Sequence, residues 1–181
     1  YVSPEKGPLG LEAEITVKFN IRMDRASTEQ AFQLRNAGNK LVDGIFAWDE
    51  SQTELSFTAS EPLRRNSNYS LILDQSASSL GGIPLRVDFR QDFTTYPEFG
   101  LAQAFTPKFE DFGFNFGEYE LQFSSPVDKK SYLKAVNVTP KPPSLSTYLY
   151  DENLSLVVNA YFEPATDYTV TIDKRLQDIW G

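Results

Sequence analysis

Leu11-Glu12-Ala13-Glu14-Ile15-Thr16-Val17-Lys18-Phe19-Asn20-Ile21 places an apolar side chain at every second position. Successive side chains of an extended chain point to opposite faces, so this period of two predicts a strand half-buried in a core. Ala13, Ile15, Val17, Phe19 and Ile21 face inward in that reading. Glu12, Glu14, Thr16, Lys18 and Asn20 face water. Downstream, Ser27-Thr28-Glu29-Gln30 has the form of a capping box and predicts a short helical turn over Thr28–Leu34. Further strands are expected at Leu41–Trp48, Glu54–Thr58, Tyr69–Leu73 and Leu85–Thr94, the last with Val87, Phe89 and Phe93 inward. Asn39-Lys40, Asp49-Glu50-Ser51, Arg65-Asn66-Ser67-Asn68 and Gly81-Gly82 supply the turns.

The pattern then returns. Phe123-Ser124-Ser125-Pro126-Val127-Asp128 repeats Phe19-Asn20-Ile21-Arg22-Met23-Asp24 at an offset of 104. Tyr168-Thr169-Val170-Thr171-Ile172-Asp173 repeats Tyr69-Ser70-Leu71-Ile72-Leu73-Asp74 at an offset of 99, which also sets Gly181 on Gly82. Two anchors of like chemistry at similar separation mark an internal duplication. The predicted class is therefore all-β, two tandem immunoglobulin-like β-sandwich modules, the first at 1–96 and the second at 97–181. In that register the second module is cut before its last strand. The intervening stretch carries Tyr96, Phe99, Phe105, Phe109, Phe112, Phe114 and Phe116 among Pro and Gly. It is too apolar for a solvated linker, so it is expected to pack, with Phe109–Phe116 the candidate to cover the exposed edge. Tyr1–Pro8 reads as a linker, which suggests an internal piece of a longer protein.

Composition removes whole classes of chemistry. The 181 residues include no Cys and no His, and the formal net charge is −8. Thiolate metal sites, a cysteine nucleophile and the commonest general base are thereby excluded. An acidic surface does not suit phosphate backbones, so nucleic acid is not an expected partner. No stretch approaches the roughly 20 apolar residues of a membrane span.

Ser3-Pro4, Ile15-Thr16-Val17-Lys18-Phe19, Met23-Asp24, Leu55-Ser56-Phe57, Pro62-Leu63, Asn68-Tyr69, Gly81 and Phe93-Thr94 together resemble the bacterial Ig-like domain first described in S-layer proteins. Phe123–Asp128, Phe162-Glu163-Pro164-Ala165-Thr166-Asp167-Tyr168 and Leu176-Gln177-Asp178-Ile179-Trp180-Gly181 are similar to β-sandwich modules near the N-terminus of bacterial α2-macroglobulin-like proteins. Those are exported or lipid-anchored protease traps with a bait region and often a thioester. Neither element can be placed on this sequence. The resemblance implies a non-catalytic scaffold segment of such a protein, in the bacterial envelope or outside the cell, with other domains of its own chain as partners. Proteins or glycans of the cell surface are further candidates. A structural or adhesive repeat of a surface protein and an accessory module of a carbohydrate-active enzyme are the rival readings.

Few residues invite chemistry. Asp24 and Asp128 sit at equivalent places just after a strand and could hold Ca²⁺. Their recurrence in both modules favours turn-capping carboxylates instead, and no cofactor is expected. The acidic pairs Asp49-Glu50, Glu110-Asp111 and Asp151-Glu152 lack calcium-loop spacing. Ser3 and Ser125 have neither a nucleophile-elbow context nor a His to activate them. Asn68, Asn137 and Asn153 stand in Asn-x-Ser/Thr triplets. Trp48, Tyr96, Phe99, Phe105 and Trp180 could form a sugar-stacking platform, but packing is the expectation for aromatics in a sandwich.

Overall fold

The structure, a computed structural model, describes residues 1–5, 7–105, 108–109 and 116–181, with only the backbone at 108 and 109. The chain divides into two compact units, Tyr1–Pro97 and Glu98–Gly181.

In the first unit, β1 (Val2–Ser3), β2 (Glu14–Lys18), β4 (Gly44–Trp48) and β5 (Glu54–Ala59) form one sheet in the order β1-β2-β5-β4. A second sheet takes the order β3-β6-β7, from Phe32–Asn36, Asn68–Leu73 and Phe89–Thr94. All these pairs are antiparallel. Ile15, Val17, Leu55 and Phe57 from one sheet and Leu34, Tyr69, Leu71, Leu73 and Phe93 from the other share one buried cluster. The alternation read from Ile15 and Val17 thus holds. It breaks at Ile21, which is 49% exposed. The strand stops at Lys18, the chain turns, and Met23 takes the next buried place at 2% exposure.

Three further expectations shift. The helix α1 runs Arg25–Ala31 rather than Thr28–Leu34, because Asp24 and not Ser27 caps it: the Ser27 N–H donates to the Asp24 carboxylate at 2.9 Å. Phe32–Asn36 then enters β3, where Phe32 and Leu34 alternate inward. Leu41 and Val42 lie along β3 before the chain crosses to pair as β4 from Gly44. Finally, β7 begins only at Phe89, leaving Val87 and Phe89 at 70% and 37% exposure, while Phe93 is buried. The segments that follow β1 and β7 meet in a parallel bridge between Leu9 and Thr95. There the Leu9 N–H donates to the Thr94 carbonyl at 2.8 Å and the Tyr96 N–H to the Leu9 carbonyl at 3.3 Å.

In the second unit, β10 (Phe116–Phe123) pairs with β13 (Ser155–Tyr161) on one side, and β13 with β12 (Leu145–Tyr150). On its other side β10 pairs with β8 (Leu101–Ala104) and β9 (Lys108–Phe109). A separate ladder joins β11 (Val136–Thr139) to β14 (Thr169–Ile172). Leu121, Phe123, Val127, Val138, Leu156, Val158 and Ala160 form this unit's core. Of the Phe109–Phe116 stretch expected to cover an edge, Phe109 pairs with Gly117 and Phe116 with Tyr161, both in the β10 sheet. Its remaining residues, Phe112 and Phe114 among them, lie outside the described residues.

The duplication is written in hydrogen bonds. Met23 N–H reaches Gln52 O in the first unit, and Val127 N–H reaches Asn153 O in the second. Asp24 N–H to Ser78 O is repeated by Asp128 N–H to Gln177 O. Leu80 N–H to Arg22 O is repeated by Ile179 N–H to Pro126 O. Even a side chain takes part: the Tyr69 hydroxyl accepts the Arg64 N–H at 3.0 Å, and Tyr168 accepts Glu163 N–H at 3.1 Å.

Candidate functional site

The repeated bonds define a latch in each unit, where the turn after the first long strand is clasped by the loop that follows the Tyr strand. In the first unit Met23 bridges Ser79, and in the second Val127 bridges Asp178. Each latch is followed by a glycine of positive φ, +79° at Gly82 and +90° at Gly181, a conformation that side chains with a Cβ rarely adopt. The second latch adds a buried polar pair that sequence reasoning missed. Ser125 donates its hydroxyl to Asp178 Oδ2 at 2.8 Å, and the Trp180 N–H donates to Asp178 Oδ1 at 3.1 Å. Ser125 and Asp178 are 0% and 1% exposed. The one sequence signal was register: Asp178 falls on Ser79, a small polar residue already committed to the latch.

Asp24 and Asp128 occupy the same latch positions but do different work. The Asp24 carboxylate caps α1, and the Ser27 N–H holds its pKa below the usual carboxylate range. At Asp128 it is the backbone carbonyl that accepts the Ser131 N–H and hydroxyl, at 3.1 and 3.0 Å. Among the described residues no cluster of three or more acidic side chains is placed to hold a metal. Asp24→Ala is expected to lower the Tm by a few degrees through the lost cap, with Asp128→Ala near neutral, in thermal unfolding followed by circular dichroism. A Tm raised by Ca²⁺ and lost in both variants would instead make the two aspartates ligands.

The remaining carboxylates organise turns. Asp49 accepts the Thr53 and Glu54 N–H groups at 2.9 and 2.8 Å, together with the N–H and hydroxyl of Ser51. The Ser51 hydroxyl first, and then these amides, hold its pKa down at about 2. Asp151 and Glu152 are exposed at the β12–β13 turn with φ of +53° and +54°. Glu110-Asp111 lies outside the described residues. Ser3 is a strand residue of β1, and Asn68 and Asn137 stand in β6 and β11.

The five aromatics proposed as a platform have packing or backbone roles in their own units. Trp48 stacks on Phe19 at 6.3 Å and donates its indole N–H to Glu29 at 2.8 Å, with the Arg25 guanidinium 6.0 Å from its ring centroid. Phe99 stacks on Phe123 at 5.3 Å, Tyr96 is buried, and Trp180 binds the latch. Phe105, 37% exposed, donates its N–H to Glu120 O. An aromatic face does exist elsewhere. Strand register puts Tyr148 and Tyr150 of β12, Val157, Asn159 and Tyr161 of β13, and Phe116 of β10 on the side of the sheet away from its core row. Tyr148, Tyr150 and Tyr161 are each more than two-fifths exposed. The Glu120 carboxylate beside Tyr150 pushes that phenol's pKa up.

The two units differ most at the Tyr strand. β6 pairs with β3 on one side and β7 on the other, whereas β14 pairs only with β11 among the described residues. Tyr69, Leu71 and Leu73 of β6 are 5%, 0% and 2% exposed. Their counterparts Tyr168, Val170 and Ile172 are half-buried.

Comparison with known proteins gives three findings. The model of the bacterial Ig-like domain matches residues 1–95. An α2-macroglobulin homolog from Nostoc sp. is 24% identical over 204 residues, an alignment that covers 96% of this chain and 11% of that protein's length. Two solved structures share a low-level likeness. One is native α2-macroglobulin from Escherichia coli spanning domains MG0-NIE-MG1 (13% identity, TM-score 0.42, 95% of this chain and 59% of that one). The other is the surface layer protein SbsC, domains 1–6 (12%, 0.39, 95% and 32%).

Proposed function

Because the chain belongs to the bacterial Ig-like domain family, we propose that it is a non-catalytic scaffold segment of a large, exported α2-macroglobulin-like protease inhibitor. The observation that carries this reading is the span of the Nostoc alignment, which runs through both units rather than stopping at the first. A lone Ig-like repeat would account for residues 1–95 only. The side chains support a structural role, since the carboxylates and serines with the best geometry cap turns or tie the latch. No described helix is long and apolar enough to cross a membrane. Position in the envelope or outside the cell, and partnership with other domains of the same polypeptide, belong to the same proposal.

The test is protease trapping by the full-length protein. A bound endopeptidase is expected to keep its activity on a short peptide substrate while losing it on a large protein substrate. The 181-residue chain alone should do neither. Full-length protein that leaves both activities untouched would turn the reading toward a structural repeat of a surface protein.

A further inference from the structure

We propose that the edge of β14 with which no described strand pairs is a strand-docking edge, filled in the full-length polypeptide by one antiparallel strand that runs on from the second latch. The first unit supplies the template. Its β6 takes β7 on that edge with Tyr69 opposite Phe93 and Leu73 opposite Phe89. Every element that leads to this arrangement is repeated: the Tyr strand, the tyrosine hydroxyl bond, the latch bonds and the positive-φ glycine that releases the chain toward β7. The occupant's chemistry follows from the register. An aromatic residue lies opposite Tyr168, a second large apolar residue opposite Ile172, and no proline stands where β14 offers a hydrogen bond. Such a strand would pair the open N–H and C=O groups and cover the half-buried face of Tyr168, Val170 and Ile172 in one step. The proposal rests on this chain being a segment of a larger polypeptide, not on what that polypeptide inhibits.

Amide hydrogen exchange tests it without reference to protease trapping. In the 181-residue chain, the β14 amides that β11 leaves free should exchange as fast as those of an open edge. In the full-length protein the same amides should be at least tenfold slower. A synthetic peptide of residues Asp88–Thr95, added to the 181-residue chain at millimolar concentration, probes the side-chain pattern. It should slow the same amides, and a peptide with Phe89 and Phe93 changed to Ser should not. Equal β14 rates in the short and full-length proteins overturn the proposal, whether both are fast or both slow. Protection by the peptide with an unprotected edge in the full-length protein also overturns it, by moving the occupant to a partner in trans. Equal protection by both peptides overturns the aromatic pattern.

Discussion

Leu71→Ala is expected to destabilise the first unit by roughly 3 kcal/mol, measured by urea unfolding. Leu71 sits at the middle of β6, flanked by β3 and β7, and none of its surface meets water. Truncation removes the transfer free energy of three carbons and leaves a cavity that strands held on both sides can close only in part. The duplication supplies a control. Val170 is half-buried at the matching place in β14, which among the described residues pairs on one side only. Val170→Ala should therefore cost only about 1 kcal/mol, because less surface is lost and the site can relax toward solvent. Equal losses at the two sites would mean that β14 is as fully enclosed as β6.

Gly44→Ala should be of similar size, about 3 kcal/mol, for the opposite reason. A Cβ at Gly44 would stand 2.2 Å from the tip of the Phe57 ring and 2.6 Å from the Thr58 carbonyl oxygen. The carbonyl is backbone, held in the β4–β5 ladder where Ile45 lies opposite Thr58. Nor can the ring swing away. Phe57 is 3% exposed and packed against Phe32 and Phe46, with centroids 4.9 and 5.2 Å distant. Here the glycine matters for the space it leaves, since it lets the aromatic cluster close over β4. The check is unfolding free energy for Gly44→Ala alone and with Phe57→Leu. The double variant should recover part of the loss if the clash is with the ring, and none of it if the carbonyl dominates.

What could be read from sequence was whatever two-residue periodicity encodes locally. Ile15 and Val17 lie where alternation puts them, and the repeat of Phe19–Asp24 at Phe123–Asp128 marks a real structural repeat. Alternation cannot say where a strand stops: Ile21 and Val87 lie beyond the ends of β2 and β7, and Phe89, the first residue of β7, is 37% exposed. β3 was hidden because Phe32-Gln33-Leu34-Arg35-Asn36 follows a capping signal directly, and five residues hold too few periods to separate strand from helix. The Ser125–Asp178 pair joins residues 53 apart in sequence, and the tyrosine face depends on the register of β12, β13 and β10 together, to which no local pattern reports.

The Leu9–Thr95 bridge bears on how the first unit answers a stretching force. Its two segments run in the same direction, so tension that reaches Leu9 from the N-terminal side and Thr95 from the C-terminal side pulls them oppositely along their length. Such a pull shears both bridging hydrogen bonds together, whereas an antiparallel hairpin pulled from its open end gives way one bond at a time. Leu9 and Thr95 are 0% and 1% exposed, so water is poorly placed to replace those bonds as they lengthen. The bridge between the segment that follows β1 and the segment that follows β7 is therefore arranged to load in shear rather than to peel.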